Sequence, residues 1–144
     1  MARFTSLIVA LFVASASVAA PVETRGIGSL ACNIDRAKIV AALVQSNISV
    51  GKIDTSDPDT ATAVTAAKAG LSQVTSAIES IAEALFTGQA PPDSARVGVS
   101  LGLNATRSAL DGITNPAVSS SVAAAQTNVQ SAIDDGNAVL ADCS

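Results

Sequence analysis

Apolar residues recur along the chain at the spacing of amphipathic helices, and short polar or proline-marked segments separate these repeats. The most regular repeat follows Pro58, which suits the first position of a helix, and Asp57 stands before it as a capping residue. Its spacing is that of an a/d seam, so we predict a helix from Pro58 to Phe86, with Gly88 as the stop. The predicted seam consists of Val64, Ala67, Leu71, Val74, Ile78, Ile81 and Leu85.

A preceding helix is predicted from about Asn33 to between Asn47 and Val50, where Gly51 ends it. One stripe of apolar residues runs along this segment, and the spacing predicts that the stripe faces the core. The stripe consists of Ile34, Ala37, Val40, Ala41, Val44 and Ile48.

A third helix is predicted after residues 91–93, Pro-Pro-Asp, with its end near Thr114. Apolar and small polar residues alternate from Val97 to Leu103, which is locally a strand pattern, but the proline-marked start and the spacing that follows favour a helix. Glycine costs about 1 kcal/mol in a helix interior, so Gly98 and Gly102 predict that this half-helix is the loosest part of the fold. Its predicted core stripe is Val99, Leu103, Thr106, Leu110 and Ile113.

A fourth helix is predicted to begin at Asn115-Pro116, a cap followed by a first-turn proline, and to end near Ala141. Its predicted buried face is Val118, Val122, Ala125, Val129, Ile133 and Leu140. Four helices with short links predict an all-α fold, an antiparallel up-down four-helix bundle.

The two cysteines stand at the ends of this helical region. In an up-down bundle Cys32, at the start of the first helix, and Cys143, after the fourth, fall at the same pole, so we expect an intramolecular disulfide. Closing so long a loop contributes about 4.7 kcal/mol in the chain-entropy view. Metal binding and intermolecular pairing are the alternatives.

The amino terminus has the pattern of a secretory signal peptide. Arg3 precedes an apolar run and then small residues, with Ser17-Val18-Ala19 as the processing triplet. We therefore predict a signal peptide over 1–19, a short extension over 20–31 and a four-helix domain over 32–144. Such a product is secreted, extracellular or held in a cell wall.

Composition argues against catalysis and several partner classes. The sequence has no His, Trp or Tyr, and Phe86 is the only aromatic residue after residue 19. Without histidine or a free cysteine we predict no enzyme, no cofactor and no metal. The clustered Asp54, Asp57 and Asp59 fit helix capping better than a calcium loop, which would need a glycine and a terminal glutamate. Without the signal peptide the net charge is about −5, which disfavours binding to nucleic acid and to anionic membranes. The sequence has no second apolar run of membrane-spanning length, so we predict no transmembrane segment.

Two glycosylation sequons and two opposed apolar pairs are the remaining candidate features. Asn47 and Asn104 each begin an Asn-X-Ser/Thr sequon that can carry glycan in an exported chain. Helical geometry places two apolar pairs away from the main stripes of the first and third helices. They either widen the core face or contact a ligand or an external hydrophobic surface. These pairs are Ile39 with Leu43 and Val97 with Leu101.

The export signal, the Ala-Pro-Val start at Ala20, the Ala/Val/Ile-rich helices and the closing segment 132–143 together resemble a known family. They are similar to the fungal hydrophobic surface-binding protein A family, which includes cell-wall galactomannoproteins. The resemblance spans Cys32 to Cys143 and contains no catalytic motif. It implies a secreted helical domain that adsorbs to hydrophobic surfaces, with fatty acids held by some members and cell-wall polysaccharide as a further partner. A structural glycosylated wall protein without a specific ligand, or a small secreted effector, remain the alternative functions.

Overall fold

The computed structural model describes residues 29–143, and within them every regular element is helical. The predicted signal peptide and most of the predicted extension lie outside the described residues. The helices are α1 (Leu30–Gly51), α2 (Pro58–Phe86), α3 (Asp93–Asp111) and α4 (Ser119–Asp142), and a 3₁₀ turn (Pro116–Val118) precedes α4. The prediction of four helices without strand is confirmed, and the third segment is a helix despite its local alternation.

Short polar side chains set the starts of three of these elements. Asp57 accepts a hydrogen bond from the backbone N–H of Thr60 at 2.8 Å, and Asn115 accepts one from Ala117 at 3.0 Å. Ser29 caps α1 by accepting from the N–H of Cys32, so α1 begins at Leu30, earlier than predicted. At the end of α2, Gly88 has φ of 72°, a left-handed conformation that glycine adopts without strain.

The helices pack as two close pairs. α2 lies mainly against α3, and α1 lies mainly against α4. The pairs join chiefly where α3 meets α4, and α1 and α2 make a smaller contact.

The α2–α3 contact depends on two glycines. A Cβ atom added to Gly102 would lie 2.7 Å from the carbonyl oxygen of Gly70, and one added to Gly70 would lie 2.7 Å from that of Gly102. Thr106, fully buried, donates its hydroxyl to the carbonyl oxygen of Gly102 at 2.8 Å and lies 3.3 Å from that of Ala67. Gly102 therefore has a packing role that its helix propensity does not predict, because the missing side chain admits a neighbouring backbone.

α1 is rotated about its own axis by roughly half a turn relative to the prediction, so that the stripe predicted to face the core faces solvent. Ile39 (8% exposed) and Leu43 (7%) belong to the core, whereas Ile34, Val44 and Ile48 are 42–46% exposed. Cys32 explains the difference, since residues seven and eleven positions after a cysteine that bridges to α4 must share its face. The buried face is Cys32, Asp35, Ile39, Leu43, Ser46, Ser49 and Val50.

The core is complete at one end of the molecule. The end of α1, the link to α2, the end of α3 and the turn before α4 contribute Val50, Ile53, Leu110 and Val118, all buried in the main cluster. We call this end the sealed pole. Moving away from it along α2, Val64, Leu71 and Val74 are buried, but the last seam residues are not; Ile78, Ile81 and Leu85 are only partly covered.

The predicted disulfide is confirmed. Cys32 and Cys143 are bonded, their Cα atoms are 5.0 Å apart, and neither cysteine is free. The bridge joins the first turn of α1 to the end of α4.

Candidate functional site

The disulfide joins two helix ends, and the start of α3 lies near one of them. Cys32 and Cys143 join the start of α1 to the end of α4. Arg96, in the first turn of α3, lies near Arg36 of α1: burial lowers the pKa of Arg36, and the positive charge of Arg96 lowers it further. The link 87–92 holds the end of α2 close to the start of α3. We call this end of the molecule the disulfide pole.

The ends of α2, α1 and α4 carry the three most exposed large apolar side chains of the described residues. Phe86 at the end of α2 is 90% exposed, Leu30 at the start of α1 is 78% exposed, and Leu140 near the end of α4 is 59% exposed. The prediction that Leu140 lies in the core is therefore wrong, because Leu140 lies to one side of Gly136 and Val139, the residues of α4 that face the core and α1 in this turn. Apolar side chains that water reaches this freely form a candidate contact surface for apolar matter.

The apolar layer behind these residues is also incompletely covered. Four side chains from three helices pack against the core here but remain partly exposed to solvent. They are Ile78, Val99, Ile133 and Val139. The disulfide pole is therefore a region where a further apolar chain can gain contacts without displacing a packed core.

The structure separates the four predicted contact residues. Val97 (54% exposed) and Leu101 (56% exposed) lie on the outer side of α3, whereas Ile39 and Leu43 are core residues. Of the two alternatives for Ile39 and Leu43, the structure shows the core position, and the outward side of α1 carries the stripe that was predicted to face the core. Sequence reasoning missed Leu30 and the site at Phe86, although the isolated aromatic residue next to a helix stop was a visible signal.

A carboxyl pair lies beside the disulfide. Lys38 donates from Nζ to Oδ1 of the buried Asp35 at 2.8 Å. This bond and a second one with the Asp142 side chain lower the pKa of Asp35. The same carboxyl–carboxyl contact raises the pKa of Asp142, since a hydrogen bond between two carboxyl groups requires one of them to keep its proton.

A half-open groove lies between the end of α1 and the start of α4, toward the sealed pole. Its volume is about 300 Å³, and polar side chains including Gln45, Lys52, Ser120 and Asn128 line much of it. This lining suits water or a polar group better than an aliphatic chain.

The clustered aspartates before α2 have local capping and turn contacts. Asp54 bonds to the backbone and hydroxyl of Ser56, and Asp57 bonds to those of Thr60; these bonds lower the pKa values of both carboxylates. No group of three or more His, Cys, Asp or Glu side chains within residues 29–143 is placed to hold a metal ion. None of the helices in the same range has both the length and the hydropathy needed to cross a membrane.

Both sequon asparagines lie on exposed helix surface. Asn47 donates from Nδ2 to the carbonyl oxygen of Leu43 at 3.0 Å, and Asn104 donates to that of Ser100 at 2.9 Å. Neither asparagine is bonded to another helix through these contacts, so a glycan on either would leave the helix pairs intact. Glycosylation at both positions stays a prediction.

Comparison of the chain with protein-family models, with curated proteins and with solved structures gave no significant match. The functional conclusions for this chain therefore depend on its own residues.

Proposed function

We propose that this chain is a secreted, non-enzymatic protein that binds hydrophobic surfaces or long-chain lipids through its disulfide pole and the adjacent outer side of α3. The observation that carries the proposal is the exposure of three large apolar side chains near the ends of α2, α1 and α4, those of Phe86, Leu30 and Leu140. Val97 and Leu101 extend the apolar surface along α3. Export is required by this proposal and is supported by the signal-peptide pattern over 1–19 and by the disulfide.

The size of the apolar surface is sufficient for useful affinity. Full burial of one large apolar side chain contributes about 1.5–3 kcal/mol. Three such residues at the pole contribute roughly 5–9 kcal/mol before ordering costs, and a Kd of 1 µM corresponds to about 8 kcal/mol. Single exposed leucines are common on protein surfaces and need no functional explanation, whereas a cluster of large exposed apolar residues calls for one.

The charges at the pole bear on which lipid fits. Arg36 of α1 and Arg96 of α3 place two guanidinium groups near each other at the disulfide pole. A long-chain lipid with a carboxylate head, such as a fatty acid, therefore suits the pole better than a lipid with a cationic head.

The test is a titration of the mature protein with a fluorescent fatty acid, together with its adsorption to hydrocarbon-coated beads. The double variant Phe86→Ser/Leu140→Ser should weaken uptake by about tenfold or more while leaving thermal stability nearly unchanged, and Val97→Ser/Leu101→Ser should weaken it less. Val44→Ser is the matched control, since Val44 is equally an exposed aliphatic residue but lies away from the pole.

Two results would contradict the proposal. Saturable uptake that is equal in all variants would place the site elsewhere. No uptake by folded wild-type protein would favour the alternatives, a structural glycosylated wall protein or a small secreted effector.

We also propose that the four helices run alternately up and down and that the chain belongs to the fungal hydrophobic surface-binding protein A family. The direction of the helices is supported by contacts: Ala67 lies with Thr106 and Ala77 with Gly98 in one pair, and Ile39 lies beside Gly136 in the other. Paramagnetic relaxation from a spin label at Phe86→Cys tests the topology. It should broaden amides near Asp93 and Cys143 and leave those near Val118 sharp.

A further inference from the structure

The outward side of α1 carries a regular apolar stripe that no other helix covers. Ile34, Val44 and Ile48 are each 42–46% exposed and Leu30 is 78% exposed. Counting about 100° per residue, the stripe points about 180° away from the buried Ile39. We call it the α1 stripe; its residues are Leu30, Ile34, Ala37, Ala41, Val44 and Ile48.

The spacing of the α1 stripe is that of a coiled-coil seam. Its residues follow one another in steps of four, three, four, three and four, the a/d pattern of a helix that packs against another helix. This spacing places all six residues on one side of α1, which both helix pairing and adsorption to a flat surface require, so the distribution of residue sizes along the stripe decides between the two.

The sizes of the residues in the stripe are symmetric about its centre. Large residues occupy both ends, and two alanines occupy the middle. In an antiparallel arrangement with a twofold axis at position 39, Leu30 meets Ile48, Ile34 meets Val44, and Ala37 meets Ala41. A surface that is complementary to itself under a twofold rotation is what a symmetric dimer requires.

The charges along the stripe do not oppose such pairing. One flank carries Asn33, Val40 and Asn47, none of which is charged. On the other flank Lys38 would approach its own copy, but its charge is already paired with Asp35 at 2.8 Å. Asp35 is the only acidic residue of α1 and is buried, so the net negative charge of the chain is carried away from the seam.

We propose that two copies of this chain associate in solution through antiparallel pairing of their α1 stripes. The paired helices would be about 27 Å long and about 10 Å wide, which corresponds to roughly 270 Å² on each copy. Stable dimers bury about 1,200–2,000 Å² in total, so the pairing is weak and reversible. If the proposed function also holds, each pair presents its two disulfide poles in opposite directions and can bridge two apolar bodies.

The first test measures the mass of the mature protein by sedimentation equilibrium over a rising concentration series. Wild-type protein should pass from one chain toward two, and Ala41→Glu should stay monomeric because it places a carboxylate in the seam. Ala123→Glu, an equally exposed alanine on α4, is the matched control and should associate like the wild type. Circular dichroism confirms that each variant is folded.

The second test measures the register. An equal mixture of Ile34→Cys and Val44→Cys proteins should give an intermolecular disulfide between the two variants on mild oxidation, and far less dimer when either is oxidised alone. Preferential pairing of each variant with itself would overturn the antiparallel arrangement.

The outcomes also separate this proposal from the proposed function. A monomeric wild type at all concentrations would overturn self-pairing; if Ala41→Glu then also lost adsorption to hydrocarbon beads, the α1 stripe would be a contact for apolar matter. Phe86→Ser/Leu140→Ser should dimerise normally even when its lipid uptake is lost. Failure of one proposal therefore leaves the other measurable.

Discussion

The sealed pole and the disulfide pole differ in how they are held together. At the sealed pole, interhelical packing buries large aliphatic side chains such as Leu110 and Val50 completely. At the disulfide pole, packing covers the apolar layer only in part, and a covalent bond joins α1 to α4. The comparison indicates that a covalent bond stabilises the disulfide pole where burial of apolar side chains stabilises the sealed pole. Apolar residues at the disulfide pole can therefore remain exposed to solvent.

The strongest test of this difference in packing is to place the same charged residue at each pole and to compare the losses of stability. Leu110→Asp puts a carboxylate into a fully buried site and should cost more than about 4 kcal/mol, enough to unfold the protein. Leu140→Asp, at a residue that is 59% exposed, should cost only about 1–1.5 kcal/mol, through the lower helix propensity of Asp and its charge at a helix C-terminus. Urea denaturation followed by circular dichroism measures both, and equal losses would show that the two poles are packed alike.

Removing the covalent bond should weaken the disulfide pole first. The double variant Cys32→Ser/Cys143→Ser should lose about 2–5 kcal/mol of stability. Amide hydrogen exchange should rise near Cys143 and Leu30 well before it rises near Val118. Uniform loss of protection along the chain would mean that the disulfide supports the whole bundle and not one end.

A matched pair of glycines sharpens the contrast between close packing and open surface. Gly102→Ala adds a Cβ that would lie 2.6 Å from Val74 and 2.7 Å from the backbone of Gly70, so it should destabilise the protein by about 1–3 kcal/mol. Gly51→Ala meets nothing within 4 Å at the end of α1 and should stabilise by about 0.4–1 kcal/mol. Thermal denaturation compares them, and a neutral Gly102→Ala would mean that α2 and α3 can separate without cost.

The smallest expected effect concerns the carboxyl pair at the disulfide pole. Asp142 has a raised pKa, so its contribution to stability is present below the unfolded-state value, about 3.8, and is lost as the pH rises through its folded-state value. Asn at 142 supplies an N–H donor to Asp35 at every pH. Asp142→Asn should therefore be slightly more stable than the wild type at neutral pH, and this advantage should shrink as the pH falls toward 3.8.

The control for this prediction is Asp134→Asn, an exposed change on the same helix. Asp35, whose pKa is lowered, contributes stability that is lost as the pH falls, but it is present in all three proteins. A pH-independent difference between wild type and Asp142→Asn would show that the two carboxyl groups do not share a proton.

Helix positions could be predicted because their determinants are local. Asp57 with Pro58 marks the start of α2 by backbone chemistry that depends on no other helix, and α2 has the predicted bounds. Asn115 with Pro116 likewise starts a helical segment, but its first turn is 3₁₀ and α4 begins three residues later than predicted, at Ser119. The disulfide could be predicted because Cys32 and Cys143 bracket the four segments.

The orientation of α1 could not be predicted from apolar spacing, because both of its sides are apolar. The a/d alternation of Ile34 and Val44 is the more regular pattern, yet the bridge at Cys32 turns Ile39 and Leu43 inward. Periodicity also cannot fix the exact centre of a buried face: it favours Leu140, whereas the neighbouring Val139 is the residue that packs against the core. Likewise, helix propensity alone predicts that Gly102 weakens its helix; its packing role depends on the position of Gly70 on another helix, which the sequence pattern does not give.

The disulfide has a mechanical consequence. Its bond closes a loop with a sequence separation of 111, and the chain enters and leaves that loop at Cα atoms 5.0 Å apart. A pulling force applied to the segments on either side of Cys32 and Cys143 therefore passes through the bridge and never loads the four helices. About 390 Å of chain contour, at about 3.5 Å per residue, is withheld from extension as long as the bond is oxidised. Under tension the oxidised domain should not lengthen, whereas after reduction of the disulfide the domain should unfold and extend by this contour length.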